Sequence, residues 1–258
     1  MEEKELNAVL MDKLAELSKL EIKKSKVLAV IFQKKMQQIL EHKMQSLEAN
    51  FKEQAEFYGQ DLEDYESTYQ EIRGRYQVQL SGILNKYNEL FINLYLELQE
   101  AECNQKIAIT NLKKSYDTKQ QIPKRTNVEL IEEYDRKMNA CFQKKVNYDI
   151  IIQECQNELE KSIQNMEHQI DTLFEDKLNK ISLKEESALA KLIQKIKNMF
   201  SGKTKFNTYV IEPIHVELEM MDNKLPELIG RLQEQTILAV AKMKQAKAQT
   251  NQIFDNMI

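Results

Sequence analysis

The sequence predicts an all-α fold, an elongated antiparallel helical bundle or coiled coil of three to four long helices. Three observations carry this. Apolar residues recur every three or four positions through residues 40–112, 131–173 and 218–257. The chain has 5 Gly and 3 Pro in 258 residues, where ordinary usage would give about 18 and 13. Charged residues make up 30%, and strong helix formers dominate.

Residues 1–118 form the first part, either one long helix or a helix pair. It opens with an amphipathic stretch carrying Leu6, Leu10, Leu14, Leu17, Leu20, Val27 and Ile31. A stripe then runs from Leu40 through Phe51, Tyr58, Tyr65, Tyr69, Tyr76, Tyr87, Phe91 and Leu98 to Leu112. Its period is about 3.6 residues, that of a straight α-helix. Gly59, Gly74 and Gly82 lie off the stripe. Each costs about 1 kcal/mol of helix propensity, so the stripe predicts a continuous helix through all three. Its tyrosines are expected to form a packed seam with hydroxyls at the rim.

Residues 119–127, with Pro123, form a turn that ends in a capping-box pattern at Thr126 and Glu129. Residues 128–200 form the second long helix, with a stripe through Ile131, Cys141, Lys145, Tyr148, Ile152, Cys155, Leu159, Ile163, Met166 and Ile170. Residues 201–213, with Gly202, a β-branched run and Pro213, are expected as a linker. Residues 214–258 form the C-terminal helix, kinked near Pro226. The polar or small stripe residues Gln105, Lys145, Gln235 and Thr250 fit roles in register or partner choice.

A short turn favours antiparallel neighbours, with facing positions summing to roughly 245. That register sets residues 90–98 against residues 147–155. Both are unusually apolar, and a face this wide implies burial on more than one side. A third helix or a second subunit is expected there. Phe91, Ile92, Tyr95, Leu96, Tyr148, Ile150 and Ile151 are the candidate oligomer or partner patch.

Charge clusters at the breaks. Lys113, Lys114, Lys124 and Arg125 flank the first, and Lys191, Lys195, Lys197, Lys203 and Lys205 flank the second. Cations at helix C-termini complement the macrodipole. The functional alternative is contact with an anion or an anionic lipid surface. The net charge of −4 and pI near 5.7 argue against a nucleic-acid partner.

Catalytic patterns are absent. Gly202-Lys203-Thr204 resembles the end of a phosphate loop, but Lys197 occupies the place of its leading glycine. Glu212 and His215 have the Glu-x-x-His spacing of di-iron bundles without the second pair those sites need. No cofactor and no metal are expected. The three cysteines lack metal-type spacing. Cys141 and Cys155 are expected as reduced core thiols and Cys103 as exposed. No secretory signal and no membrane span are expected, which places the chain in the cytoplasm or at the periphery of a membrane. The leading expectation is a non-enzymatic scaffold or assembly protein that associates with itself as a homodimer or higher oligomer. The alternative is a membrane-surface protein of BAR-like architecture.

Overall fold

The computed structural model describes residues 3–123, 127–174 and 202–255. Among them no strand forms. Four long helices form a bundle: α1 (Glu3–Phe57), α2 (Glu66–Gln121), α3 (Val128–Phe174) and α4 (Glu212–Asp255). The chain divides into two compact units, and every helix contributes to both. Unit 1 comprises Met1–Phe32, Glu89–Ser162 and Glu234–Ile258, and unit 2 comprises Gln33–Asn88 and Ile163–Gln233.

The continuous helix expected through Gly59 does not form; the first part of the chain is a helix pair. Gly59 has φ +65, a conformation that costs glycine nothing and an L side chain a good deal. Its N–H donates to Glu56 O at 3.1 Å, and Gln60 N–H donates to Ala55 O at 2.9 Å. This pair of bonds is a Schellman cap. A single 3-10 turn (Glu63–Tyr65) then leads into α2. The apolar rhythm survives the turn because Tyr58 and Tyr65, on either side of it, both face the core of unit 2.

The expected linker at residues 201–213 is also replaced by helix. Residues 202–206 are α-helical, and Asn207–Ile211 forms a π turn closed by Glu212 N–H donating to Asn207 O. Pro213 offers no N–H, and its ring crowds the carbonyl four residues back. A widened turn directly before it makes room. Gly202 is buried: a Cβ there would lie 2.2 Å from Tyr58 O, so only glycine lets this helix pack on the α1–α2 turn. Pro226 lies inside α4, which is one helix from Glu212 to Asp255.

The helices run up, down, up, down. In unit 1, Ser25 lies beside Gln99 and Phe32 stacks on Phe91 at 4.0 Å, which makes α1 antiparallel to α2. Lys119 meets Asp135 and Gln105 meets Asp149, so α3 is antiparallel to α2. That register sits between two and three helical turns further along α3 than the turn-centred expectation. Residues 90–98 therefore face about residues 156–164 rather than 147–155, and only the near ends, at Glu97 and Cys155, stay close. The shift follows side-chain chemistry rather than the turn. Asp149 accepts from Gln105 of α2 at 2.6 Å, which ties the two helices at that level, and is held in place by Lys145 of its own helix at 2.5 Å. In unit 1, Lys247 meets Glu97 and Glu100 while Asn251 lies at the level of Gln105 through Tyr148, and in unit 2 Asp222 meets Arg75 while Leu225 lies beside Gly82, so within each unit α4 runs parallel to α2.

In unit 1, α2 and α3 form the central pair. In unit 1, Phe91 and Gln99 of α2 turn to α1, while Glu97 and Glu100 turn to α4. At 3.6 residues per turn these two sets lie about half a turn apart. The α1 and α4 helices therefore cover opposite sides of the pair. The second layer of burial expected over the wide apolar face comes from the chain's own α1 and α4.

In unit 2 the core is aromatic. Phe206 is fully buried, with Tyr65 at 4.7 Å, Phe51 at 5.6 Å and Tyr58 at 6.1 Å between ring centres. Phe174 meets Tyr76 edge-on at 5.0 Å. Gln79 donates to Leu218 O at 2.8 Å and to Asp222 at 2.5 Å.

Candidate interaction surface

The candidate partner patch splits by face. Phe91, Tyr148 and Ile151 are buried inside unit 1, Tyr95 is half-buried, and Ile92, Leu96 and Ile150 are exposed. Adjacent residues on a helix point about 100° apart, so a run such as residues 150–152 cannot share one face. Phe91 is held by Phe32 of α1. The Tyr148 hydroxyl donates to Asn251 of α4 at 3.0 Å. These three residues belong to the chain's own core. The outward remainder on α2 is Ile92, Leu96 and Ile107, one ridge with Cys103 between its members.

The N-terminal stretch is turned differently from its sequence reading. Of its apolar residues with described side chains, Leu14 is buried, whereas Leu10, Leu17, Leu20, Val27 and Ile31 are exposed. The inward line is Met11, Leu14, Leu28 and Phe32, with Ser25. Met11 and Leu14 pack with Leu112 and Cys141. Here α1 thus carries two apolar faces, one against α2 and α3 and one outward. The signal was present in the sequence as an apolar arc too wide for a single seam.

The outward face has a heptad rhythm. Positions 10, 13, 17, 20, 24, 27 and 31 alternate steps of three and four and carry Leu, Lys, Leu, Leu, Lys, Val and Ile. This is the 3.5-residue seam of a coiled coil. Val9 and Val30, both exposed, extend it along one flank. Leu20 is 62% exposed and Leu17 50%, so the middle of the seam is bare.

Charge is buried elsewhere in unit 1, between α2 and α4. Lys247 of α4, almost fully buried, pairs with Glu97 and with Glu100 at 2.5 Å. Burial pulls the Lys247 ammonium down, but hydrogen bonds and charge from Glu100 and Glu97 together hold its pKa above the ordinary value. Lys145 pairs with Asp149. Of the polar stripe residues, Gln105, Lys145 and Thr250 are buried, and Gln235 is exposed. At that level Thr236, half-buried, takes the inward place. Sequence reasoning missed Lys247 and Glu97, because a lysine and a glutamate on helices otherwise rich in both give no local signal of burial. Cys155 is fully buried, and burial first, then Glu97, pushes its thiol up to about 12. Cys103 is exposed and Cys141 buried.

Among the basic candidates, Lys113, Lys114 and Lys203 are exposed, and Lys205 is half-buried. Lys124, Arg125, Lys191, Lys195 and Lys197, and the Thr126 cap, lie outside the described residues. Among the described residues no three His, Cys, Asp or Glu groups converge on a metal-sized site, and no helix is long and apolar enough to cross a membrane. No protein-family profile, curated protein or solved structure matches the chain.

Proposed function

We propose that this chain is a non-enzymatic helical scaffold that works through helix–helix contacts and associates with itself. One observation carries the reading. Among the described residues fifteen large apolar side chains of unit 1 are exposed, against Val78, Tyr209, Val216 and Met220 in unit 2. Scattered exposed apolar residues are ordinary, but a contiguous patch marks an interaction surface. The buried charges fit the same role, since Lys247 of α4 is held on Glu97 of α2 in an ion pair that fixes helix register. Three free cysteines fit a reducing, cytoplasmic setting. Sedimentation velocity over a concentration series tests the reading. A weight-average mass rising above 30.4 kDa is expected. A strict monomer at about 100 μM, a concentration where even a weak dimer of Kd ~10 μM would assemble, would refute it.

A second reading is contact with an anionic lipid surface, favoured by Lys113 and Lys114 standing exposed side by side near the end of α2. Its test is co-sedimentation with phosphatidylserine vesicles at low salt, with loss on Lys113→Glu and Lys114→Glu.

A further inference from the structure

We propose that the outward seam of α1 pairs with the same seam of a second copy of this chain, antiparallel, with Leu17 and Leu20 at the centre. This deepens the self-association reading above and rests on it. The occupant follows from the distribution of charge. Between residues 9 and 22, α1 carries Asp12, Glu16 and Glu21 against Lys13 and Lys19. Between residues 23 and 32 it carries Lys23, Lys24 and Lys26 and no acid. A helix that is acidic in one half and basic in the other is complementary to itself only when reversed.

The heptad register fixes the contacts. In the reversed arrangement seam positions pair so that Leu17 meets Leu20 of the second copy and Leu10 meets its Val27, each contact occurring twice. On the flank, Glu16 lies opposite Lys23 of the second copy, and Val9 lies opposite its Val30. A parallel pair would instead set Glu16 against Glu21, two like charges. It would also direct Lys23 at position 28, where Leu28 is committed to the chain's own core. A third layer sets Lys13 across from Lys24 of the second copy, and Ile31 falls opposite position 6. Lys24 already has Glu160 of its own chain at 3.4 Å, and lysine stems can lie along a seam while their ammonium groups reach water. The residues from 9 to 31 span about 33 Å, roughly three heptads, which is the length at which such pairing becomes effective.

Disulfide trapping in the full chain tests this directly. In a Cys103→Ser background, chains carrying Val9→Cys are mixed with chains carrying Val30→Cys and oxidised in air. The antiparallel seam predicts a disulfide-linked pair that contains one chain of each kind. Pairs of like chains instead would set position 9 beside position 9, which the antiparallel register excludes, and would overturn the proposal. A dimer in sedimentation with no cross-link at either position would overturn the seam and leave self-association standing. A monomer throughout would overturn both. Charge reversal supplies an independent arm: Glu16→Lys should weaken the dimer about tenfold, and Glu16→Lys with Lys23→Glu should restore it. Failure of the double variant to recover counts against the proposal. Leu20→Glu should abolish the dimer with helicity unchanged by circular dichroism. If it instead removes binding of the monomer to phosphatidylserine vesicles, the occupant is lipid and the second copy is excluded.

Discussion

The two units are built from the same four helices, yet their cores differ in kind. Unit 2 buries rings: Phe51, Tyr58, Tyr65, Tyr76, Tyr87, Phe174 and Phe206, with Gln54 and Gln79 as its buried polar side chains among the described residues. Among its described residues unit 1 buries three rings, Phe32, Phe91 and Tyr148, beside nine polar or charged residues that include Glu97, Glu102, Lys145 and Lys247. The surfaces are reversed. Among the described residues, the unit with the aromatic core exposes four large apolar side chains and the unit with more buried polar groups exposes fifteen. Apolar burial drives association but does not fix register, because one ring slides past another at little cost. A buried ion pair can sit at one level only, since every other leaves a charge unpaired. Unit 1 needs such pins if its own outer apolar faces are not to compete with its core for partners.

The largest expected effect breaks unit 2. Phe206→Ala removes a fully buried ring that meets three others and should cost about 4 kcal/mol of unfolding free energy in urea. The next breaks unit 1. Lys247→Met leaves Glu97 buried without its cation and should cost about 3 kcal/mol. Adding Glu97→Gln should recover a good part of that. Recovery separates a register pin from a simple packing site, because a packing defect would grow with the second change.

The smallest effect sharpens the comparison through pH. The Cys155 thiol of unit 1 stands at about 12 in the folded chain, against an ordinary value of 9.0. Its pKa is raised on folding, so stability is full below pH 9 and falls as pH rises above it, because only the unfolded chain ionises readily there. The slope approaches about 1.4 kcal/mol per pH unit for one such proton. Burial also raises Cys141. In unit 2, burial moves Tyr87 from 10.0 to about 12, so its contribution begins a pH unit later. Urea titrations at pH 8, 9 and 10 should show the loss, and Cys155→Ala should flatten it. An unchanged slope would mean that the thiol is not shielded as its burial implies.

Much of this was legible in the chain itself. The stripe from Leu47 to Leu112 predicted the buried face of α1 and α2 almost residue for residue. Burial of Phe51, Tyr58, Ile72, Leu80, Tyr87, Leu94, Leu98 and Leu112 follows from a 3.6-residue period in any helix that packs. The turn at Gly59 was missed because the period continued in phase across it. A periodicity reading registers only changes of phase, whereas Gly59 reverses the chain by its φ. The helix at residues 202–213 was missed for the opposite reason. Gly202 and Pro213 are helix breakers by local rule, but Gly202 is there for close packing on Tyr58 and the π turn accommodates Pro213.

The sequence by itself determined that the chain is helical, which α2 and α3 residues face inward, and that the apolar face near Phe91 and Ile151 exceeded what one neighbour could bury. These are properties of local propensity and period, and they are present in each segment alone. The tertiary structure decided the rest. It turned Met11 and Leu28 inward and Leu17 and Leu20 outward, set Lys247 on Glu97, and placed Asp149 between Gln105 and Lys145. Each of those choices depends on what a second helix presents at the same level. No single helix carries that information, because a buried charge is stable only where its partner already stands.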